Sequence, residues 1–475
     1  MSTIRHIARK ELREIVRDGR LRLLGVIVFG LAVAALVFGA EQTYRAQHAR
    51  EHAVERATAQ WEGQGEKNPH VAAHYGTHVF APTSVATALD PGVSAYLGRS
   101  LKIEAHQRNL AAHSEAQDGA SLQRFGGFSV ATVLLQLLPL LIVALGYGLW
   151  SRERERGTLR QLISTGVDRR DLLWGKTIAL FGIVAALMVP ALVLILGVLW
   201  SLGGGEGETF IRLGLLGMGY GLYFAVFGGL TLYASAAAPS SRAALVAMVG
   251  VWGLFCLVMP RGAAELAGAM EPLPSRASLA RDVSKSLETG IDGRAEREVA
   301  IDAIRSDLMA EAGIGGTGML VDDAFLNGFE LQAEAQWEDM VFDHHVEALE
   351  ERIEAQEAVV TWVSFLSPYL AMRSLSAALC GTDYAHHRHF TQYAESWRKS
   401  LVLQLNQTFA EKAGAEGWDY RAGPELWKNA PPFEYRAPSA WDALRMQGLS
   451  LLSIFLWLLL AFGLARRSAQ RVRVV

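Results

Sequence analysis

Six predominantly apolar runs interrupt an otherwise polar chain, at residues 23–40, 125–150, 177–203, 212–236, 243–260 and 443–465. A helix needs roughly 20 residues to cross a hydrocarbon core. The pattern therefore predicts an all-α, polytopic membrane protein with six transmembrane helices. The fourth and fifth runs are separated by Pro239-Ser240-Ser241-Arg242, which reads as a tight hairpin rather than one long helix. Between the runs lie two long polar segments, 41–124 and 261–442, whose coarse reading is helical. Within the second, Leu331, Ala335, Phe342, Val346, Leu349, Ile353 and Val360 form a coiled-coil-like seam that would pack on a neighbouring chain or on its own domain. Stretches rich in Gly or Pro, Gly313 to Gly318 and Gly414 to Pro432, read as loops.

A second period appears ahead of the first run, in residues 1–22. Ile4, Ile7, Leu12 and Ile15 recur at helical spacing, while Arg5, Arg9, Lys10, Glu11, Arg13 and Arg17 take other positions. Such a helix is expected to lie in the membrane interface, with its apolar face in the acyl boundary and its bases toward lipid headgroups. Its acidic residues Glu11, Glu14 and Asp18 and the length of the apolar run that follows argue against a secretory signal. The first run is read as an uncleaved span.

Charge sets the orientation. Seven Lys and Arg precede the first run and seven fill the short loop 151–176, while the tail 466–475 adds Arg466, Arg467, Arg471 and Arg473. An excess of bases marks cytoplasmic segments. Both termini and the basic loop are thus expected in the cytoplasm of a bacterial inner membrane, and segments 41–124 and 261–442 outside it. Between Arg261 and Arg436 there are 29 acidic and 16 basic side chains, against a whole-chain net charge of −3. The large segment is therefore acidic and the remainder basic, as this orientation requires. No basic surface calls for a nucleic-acid partner; membrane lipid is the expected surroundings.

Candidate chemistry is sparse. Two cysteines, Cys256 and Cys380, exclude a disulfide framework and leave one bridge open. His70, His74 and His78 repeat every four residues and His386, His387 and His389 cluster, but neither set has metalloprotease spacing, and both are read as surface or interface histidines. Gly175-Lys176-Thr177 imitates the end of a phosphate loop, yet Arg170 stands where its first glycine belongs and an apolar run follows directly. The chain is expected to be no enzyme and to bind no cofactor. Gly214, Gly217 and Gly221 suggest close helix packing. The scarcity of charge inside the runs argues against an ion-coupled transporter. In the loop 151–176, Gly157 permits a sharp turn and Thr158 can cap the helix after it.

Three stretches carry a family resemblance: Ala8 to Arg20, Glu153 to Thr158 with Leu159, Arg169 and Gly175-Lys176, and Leu366 to Asp383 followed by His386 to Phe390. With them the chain resembles the permeases of ABC-2 type exporters, in the subgroup bearing a large periplasmic insert. Gly166 departs from the proline common there. The resemblance implies that residues 1–22 form an elbow helix and 151–176 a coupling loop, with Arg152, Glu153, Arg154, Glu155, Arg156, Gly157, Thr158 and Arg169 meeting a partner ATPase. It also implies two copies of that cytoplasmic ATPase, which carries the ATP and Mg, and a second permease, identical or paralogous. The rival reading is a mechanotransmission complex that acts on a periplasmic partner without moving substrate across the membrane.

Overall fold

The computed structural model describes residues 2–113, 128–293, 297–313 and 323–472. The chain opens with α1 (Ser2–Arg17), and α2 (Arg20–Glu62) follows after Gly19, whose φ of 75° makes the sharp turn between them. Next come a short helix α3 (Pro69–Tyr75) and strands β1 (Thr77–Phe80), β2 (Ser100–Glu104) and β3 (Gln107–Arg108). Then follow α4 (Val130–Glu155), α5 (Thr158–Ser164), α6 (Arg169–Ser201), α7 (Gly207–Ala237) and α8 (Ser241–Met270). Among the described residues, α2, α4, α6, α7, α8 and a terminal helix, Gly448–Arg471, are long and apolar enough to cross a membrane. Each of the six apolar runs thus supplies one such helix, although residues 125–127 lie outside the described residues and the sixth run is broken at Gln447, so that its long helix starts at Gly448; the all-α polytopic class holds.

Several helices outlast their apolar runs. The 43 residues of α2 span about 65 Å at 1.5 Å per residue, twice a hydrocarbon core, so its polar second half stands clear of the bundle. Two spans contain a π-helical turn, at Val133–Leu137 in α4 and at Leu254–Val258 in α8. A π turn disturbs the regular pairing of carbonyls, which is costly where no water can replace it. Here side chains meet them: the Tyr223 hydroxyl donates to the Leu135 carbonyl (2.8 Å), Trp252 Nε1 to Gln136 (2.9 Å) and Ser367 Oγ to Phe255 (3.0 Å).

At one end of the bundle lies a cap built from both long polar segments. It includes α9 (Arg276–Thr289), α10 (Arg297–Glu311), α11 (Asp323–Ser364), α12 (Pro368–Cys380), α13 (Tyr384–Lys412) and α14 (Pro424–Lys428). A short α15 (Ala440–Met446), closed by a Ser439–Asp442 capping box, leads into α16 (Gly448–Arg471). The helical reading of these segments needs one amendment, since β1, β2 and β3 form a small antiparallel sheet. Strands of five residues or fewer leave too short an alternation to read from sequence. The seam of α11 turns inward: Leu331, Ala335 and Val346 are buried within the same chain, which satisfies that face without a neighbour. The stretch after Gly414 contains a 3-10 turn and α14 and is not simply loop. Residues 314–318 of the glycine-rich stretch and Arg473 lie outside the described residues.

Helix α12 fastens the cap to the bundle. Tyr369, Leu370, Met372 and Leu375 are buried, and the helix packs against α7 and α16. Around it Ser453 Oγ donates to the Ser364 carbonyl (2.8 Å) and Trp457 Nε1 to Phe365 (3.1 Å). Cys380 at its end and Cys256 in α8 are both free and buried, so the one bridge open to them is not formed.

Close packing does not use the glycines singled out in the sequence. A Cβ at Gly214, Gly217 or Gly221 would meet no described atom within 4 Å, and Gly217 and Gly221 border an open cavity between helices rather than a close contact. The tight approaches on α7 are at Gly228, where a Cβ would lie 2.4 Å from Phe181, and at Gly219 and Gly229, 3.0 Å from Leu375 and Ala461.

Candidate coupling site at the basic end of the helix bundle

Opposite the cap, α1 lies along the start of α6. Its helical period puts Ala8, Glu11 and Ile15 on one buried face, with Ile4, Ile7 and Leu12 beside them, while Arg5, Arg9, Arg13 and Arg17 are exposed. The apolar face expected to enter lipid is therefore spent on the protein. The approach is close because position 175 is glycine: a Cβ there would fall 2.4 Å from Ile7 Cγ2.

Within that contact sits an enclosed set of charges. Lys176 is 0% exposed and its Nζ lies 2.6 Å from Glu11 Oε1, 2.8 Å from Glu153 Oε2 and 2.7 Å from the Leu149 carbonyl, with the Trp150 ring 5.4 Å away. Lys10 closes the set on Glu153 Oε1 and also pairs with Glu14. Burial opposes the charge on Lys10, but Glu11 and Glu153 outweigh it and hold its ammonium well above the ordinary lysine range. Buried charges persist only when compensated, and each of these is paired with an opposite charge. The tripeptide that imitates a phosphate loop thus has two structural duties: Gly175 admits α1, and Lys176 neutralises two carboxylates.

The four residues Arg152 to Glu155 each reach a different neighbour. Arg152 pairs with Asp18 (3.0 Å) in the α1–α2 turn and donates to Tyr147 (2.7 Å), which Arg20 also reaches. Glu153 holds Lys176 and Lys10. Arg154 donates to the carbonyls of Ala236 (2.9 Å) and Ala238 at the end of α7, where a cation complements the helix dipole. Glu155 accepts from the backbone N–H of Ser241 (2.7 Å) and from its hydroxyl, at the start of α8. Further along, Arg169 donates to the Gln470 carbonyl near the end of α16.

Of the residues expected to face an ATPase, Glu153 is buried and Arg152 and Arg154 are half-buried, each bound to groups of its own chain, while Glu155 is exposed. Arg156, Gly157, Thr158 and Arg160 are exposed. Gly157, with φ 73°, precedes α5 without a side-chain cap, and the Thr158 hydroxyl turns back to the Glu153 carbonyl (3.2 Å) instead of capping. Helix α5 ends at Ser164, where Gly166 takes a left-handed φ of 84°. A cleft of about 670 Å³ opens between α1, α4 and α5, lined in part by Lys10, Glu14, Arg17, Arg156 and Gln161.

Toward the cap, a second feature lies among α2, α4, α6 and α7: a cavity of about 460 Å³ with walls that include Phe29, Leu36, Val184, Ile195 and Phe224. Polar groups gather at one place in its lining. Ser376 Oγ donates to Asp90 and lies 3.1 Å from the Tyr220 hydroxyl, while Gly92 N–H donates to Asp90 (3.0 Å). Burial raises the Asp90 carboxyl above its usual range, partly offset by these donors.

A bundle of six helices long and apolar enough to cross a membrane, with an amphipathic helix clamped at one end and a cap at the other, defines a polytopic α-helical membrane protein. The chain belongs to the ABC-2 family transporter proteins, whose family model matches residues 5–405. It is thus a permease of an ABC transporter, a class that associates with an ABC ATPase and dimerises. No curated protein matches the chain in a sequence comparison.

The sequence placed Glu11, Lys10 and Glu153 at the right end but did not join them to Lys176. The signal was present: Glu11 falls on the apolar stripe between Ile7 and Ile15, where a charge requires a buried counter-ion.

Proposed function

We propose that this chain is the non-catalytic membrane half of an exporter in the bacterial inner membrane, with both termini cytoplasmic and the cap outside. Two permeases pair, and a separate ATPase in two copies supplies ATP, Mg and hydrolysis. The observation that carries this reading is the hub Arg152–Glu155, whose side chains hold the α1–α2 turn, α6, α7 and α8 at once. A push on the exposed face from Arg156 to Arg160 would reach all of them as one rigid displacement, because packed elements shift between discrete arrangements rather than deform smoothly. The apolar cavity with Asp90, Tyr220 and Ser376 in its lining suits an amphipathic substrate taken from the bilayer.

A second reading has one observation of its own. Helix α2 runs unbroken from the hub end into the cap, where Trp61 Nε1 donates to the Trp427 carbonyl (3.1 Å), so tilting it would also move the cap. That geometry favours force transmission to a partner beyond the membrane. The test for the coupling reading is reconstitution with the cognate ATPase. Glu155→Ala and Gly157→Pro are expected to leave ATP hydrolysis in place and abolish its coupling to transport. Unchanged coupling in both, or ATP hydrolysis by this chain alone, would overturn it.

A further inference from the structure

The cap contains a cluster that the coupling site does not use. His70 and His74 are one turn apart on α3, with Nε2 atoms 3.0 Å apart, and His106 comes from the β2–β3 turn to stack on His74 with ring centroids 4.7 Å apart. One ring nitrogen from each residue lies within 4.8 Å of the others. The sequence repeat of His70, His74 and His78 reads as surface or interface histidines; β1 carries His78 away, and His106, more than thirty residues from His74, lies beside the other two. No periodicity announces that.

We propose that His70, His74 and His106 bind one divalent transition-metal ion of the zinc type, with water completing a tetrahedral shell. Zinc–imidazole bonds of roughly 2.0–2.1 Å place tetrahedral nitrogens about 3.3 Å apart, so the His70–His74 spacing is near the required value and a small inward move of His106 completes the set. Imidazole ligands suit zinc and its neighbours over calcium or magnesium, which take oxygen.

The surroundings orient the rings as a metal site requires. His106 Nδ1 is bound to the Glu338 carboxylate, which leaves Nε2 for a metal and reproduces the carboxylate–histidine pairing of such sites. Asn406 Nδ2 donates to Gln332 (3.4 Å), while its buried Oδ1 and the buried Nδ1 of His70 both lack a hydrogen-bond partner. His106 holds a left-handed φ of 63°, a costly conformation for a residue other than glycine, which the fold maintains at this position. His70 is buried edge-on to Trp418 and His74 is exposed, so the set has an apolar floor and an open mouth.

The ion would tie α3 and the hairpin, from the first polar segment, to α11 and α13 from the second, through Glu338 and Asn406. Its test uses the full chain, purified without a histidine tag and stripped with a chelator, then titrated with Zn²⁺ alone and separately with Co²⁺. The expected result is one saturable equivalent per chain, tetrahedral Co²⁺ absorption bands and a rise in Tm on adding Zn²⁺. His74→Ala and His106→Ala should each weaken binding at least tenfold, while His387→Ala, outside the set, leaves it unchanged. His74 is exposed, so its variant keeps the metal-free Tm and remains informative if the other fails to fold. Absence of stoichiometric binding, or binding that survives both substitutions undiminished, would overturn the proposal.

Discussion

Lys176 Nζ lies 2.6 Å from Glu11 Oε1, with the two residues 165 positions apart in sequence and the side chains 0% and 3% exposed. This one ion pair fastens the elbow helix to the start of the third span. Removing one partner strands the other, at a cost of roughly 3–5 kcal/mol, whereas removing both charges together costs far less. Lys176→Met should therefore lower the Tm of the detergent-solubilised chain markedly. Adding Glu11→Gln to it should restore part of the loss, Glu153 keeping Lys10 alone as its counter-ion, a non-additivity that thermal unfolding of the single and double variants will read.

Gly175 makes a separate prediction, from shape rather than charge. Gly175→Val should drive Ile7 away and loosen α1, because even a Cβ there sits 2.4 Å from Ile7 Cγ2. The cost is expected to be about 1–3 kcal/mol, as for other overpacked contacts. Ile7→Ala in the same chain should recover part of it, and limited proteolysis ahead of Gly19 should follow the same order.

The exposed face of the loop behaves differently. Arg156 is exposed on the outer side of the hub, so Arg156→Glu should change the stability by no more than about 0.5 kcal/mol and leave Tm nearly unmoved. On the coupling account, the same substitution should sharply reduce co-purification of the ATPase. Arg154→Ala should do the reverse, lowering stability by freeing the Ala236 and Ala238 carbonyls at the end of α7 while leaving the outer face intact.

In the cap, burial pulls His387 down to about 4, so the folded chain holds it neutral while the unfolded chain protonates it near 6.5. Between those values the unfolded state binds more protons, and stability falls as pH falls. From pH 6.5 to 5 this amounts to at most roughly 2 kcal/mol. His387→Gln should flatten the acid side of the Tm profile relative to the parent chain, and equal slopes in the two would contradict the assignment.

How much of this was legible in the sequence follows from the range of each signal. Span number and the two polar segments were readable because a membrane helix needs some twenty consecutive apolar residues, a signal contained in one stretch. The inward face of α1 was readable as amphipathic, but not its partner, since an apolar stripe looks the same facing lipid or Gly175. Arg152 to Glu155 read only as part of a loop for a partner ATPase, because nothing local announces that Ser241, Asp18 and Lys176 wait across the fold. Strands β1 to β3 are too short to show alternation. Gly214, Gly217 and Gly221 show the limit of a small-residue pattern: spacing fixes a face, and the fold decides what that face meets.

The account rests on the outer side of the hub facing the cytoplasm, where an ATPase can push on it. Cys256 and Cys380 are buried, so a single Arg156→Cys substitution gives a clean site for a membrane-impermeant maleimide. Labelling of that cysteine in inside-out vesicles but not in intact spheroplasts is the predicted result. Labelling from outside intact spheroplasts would contradict it.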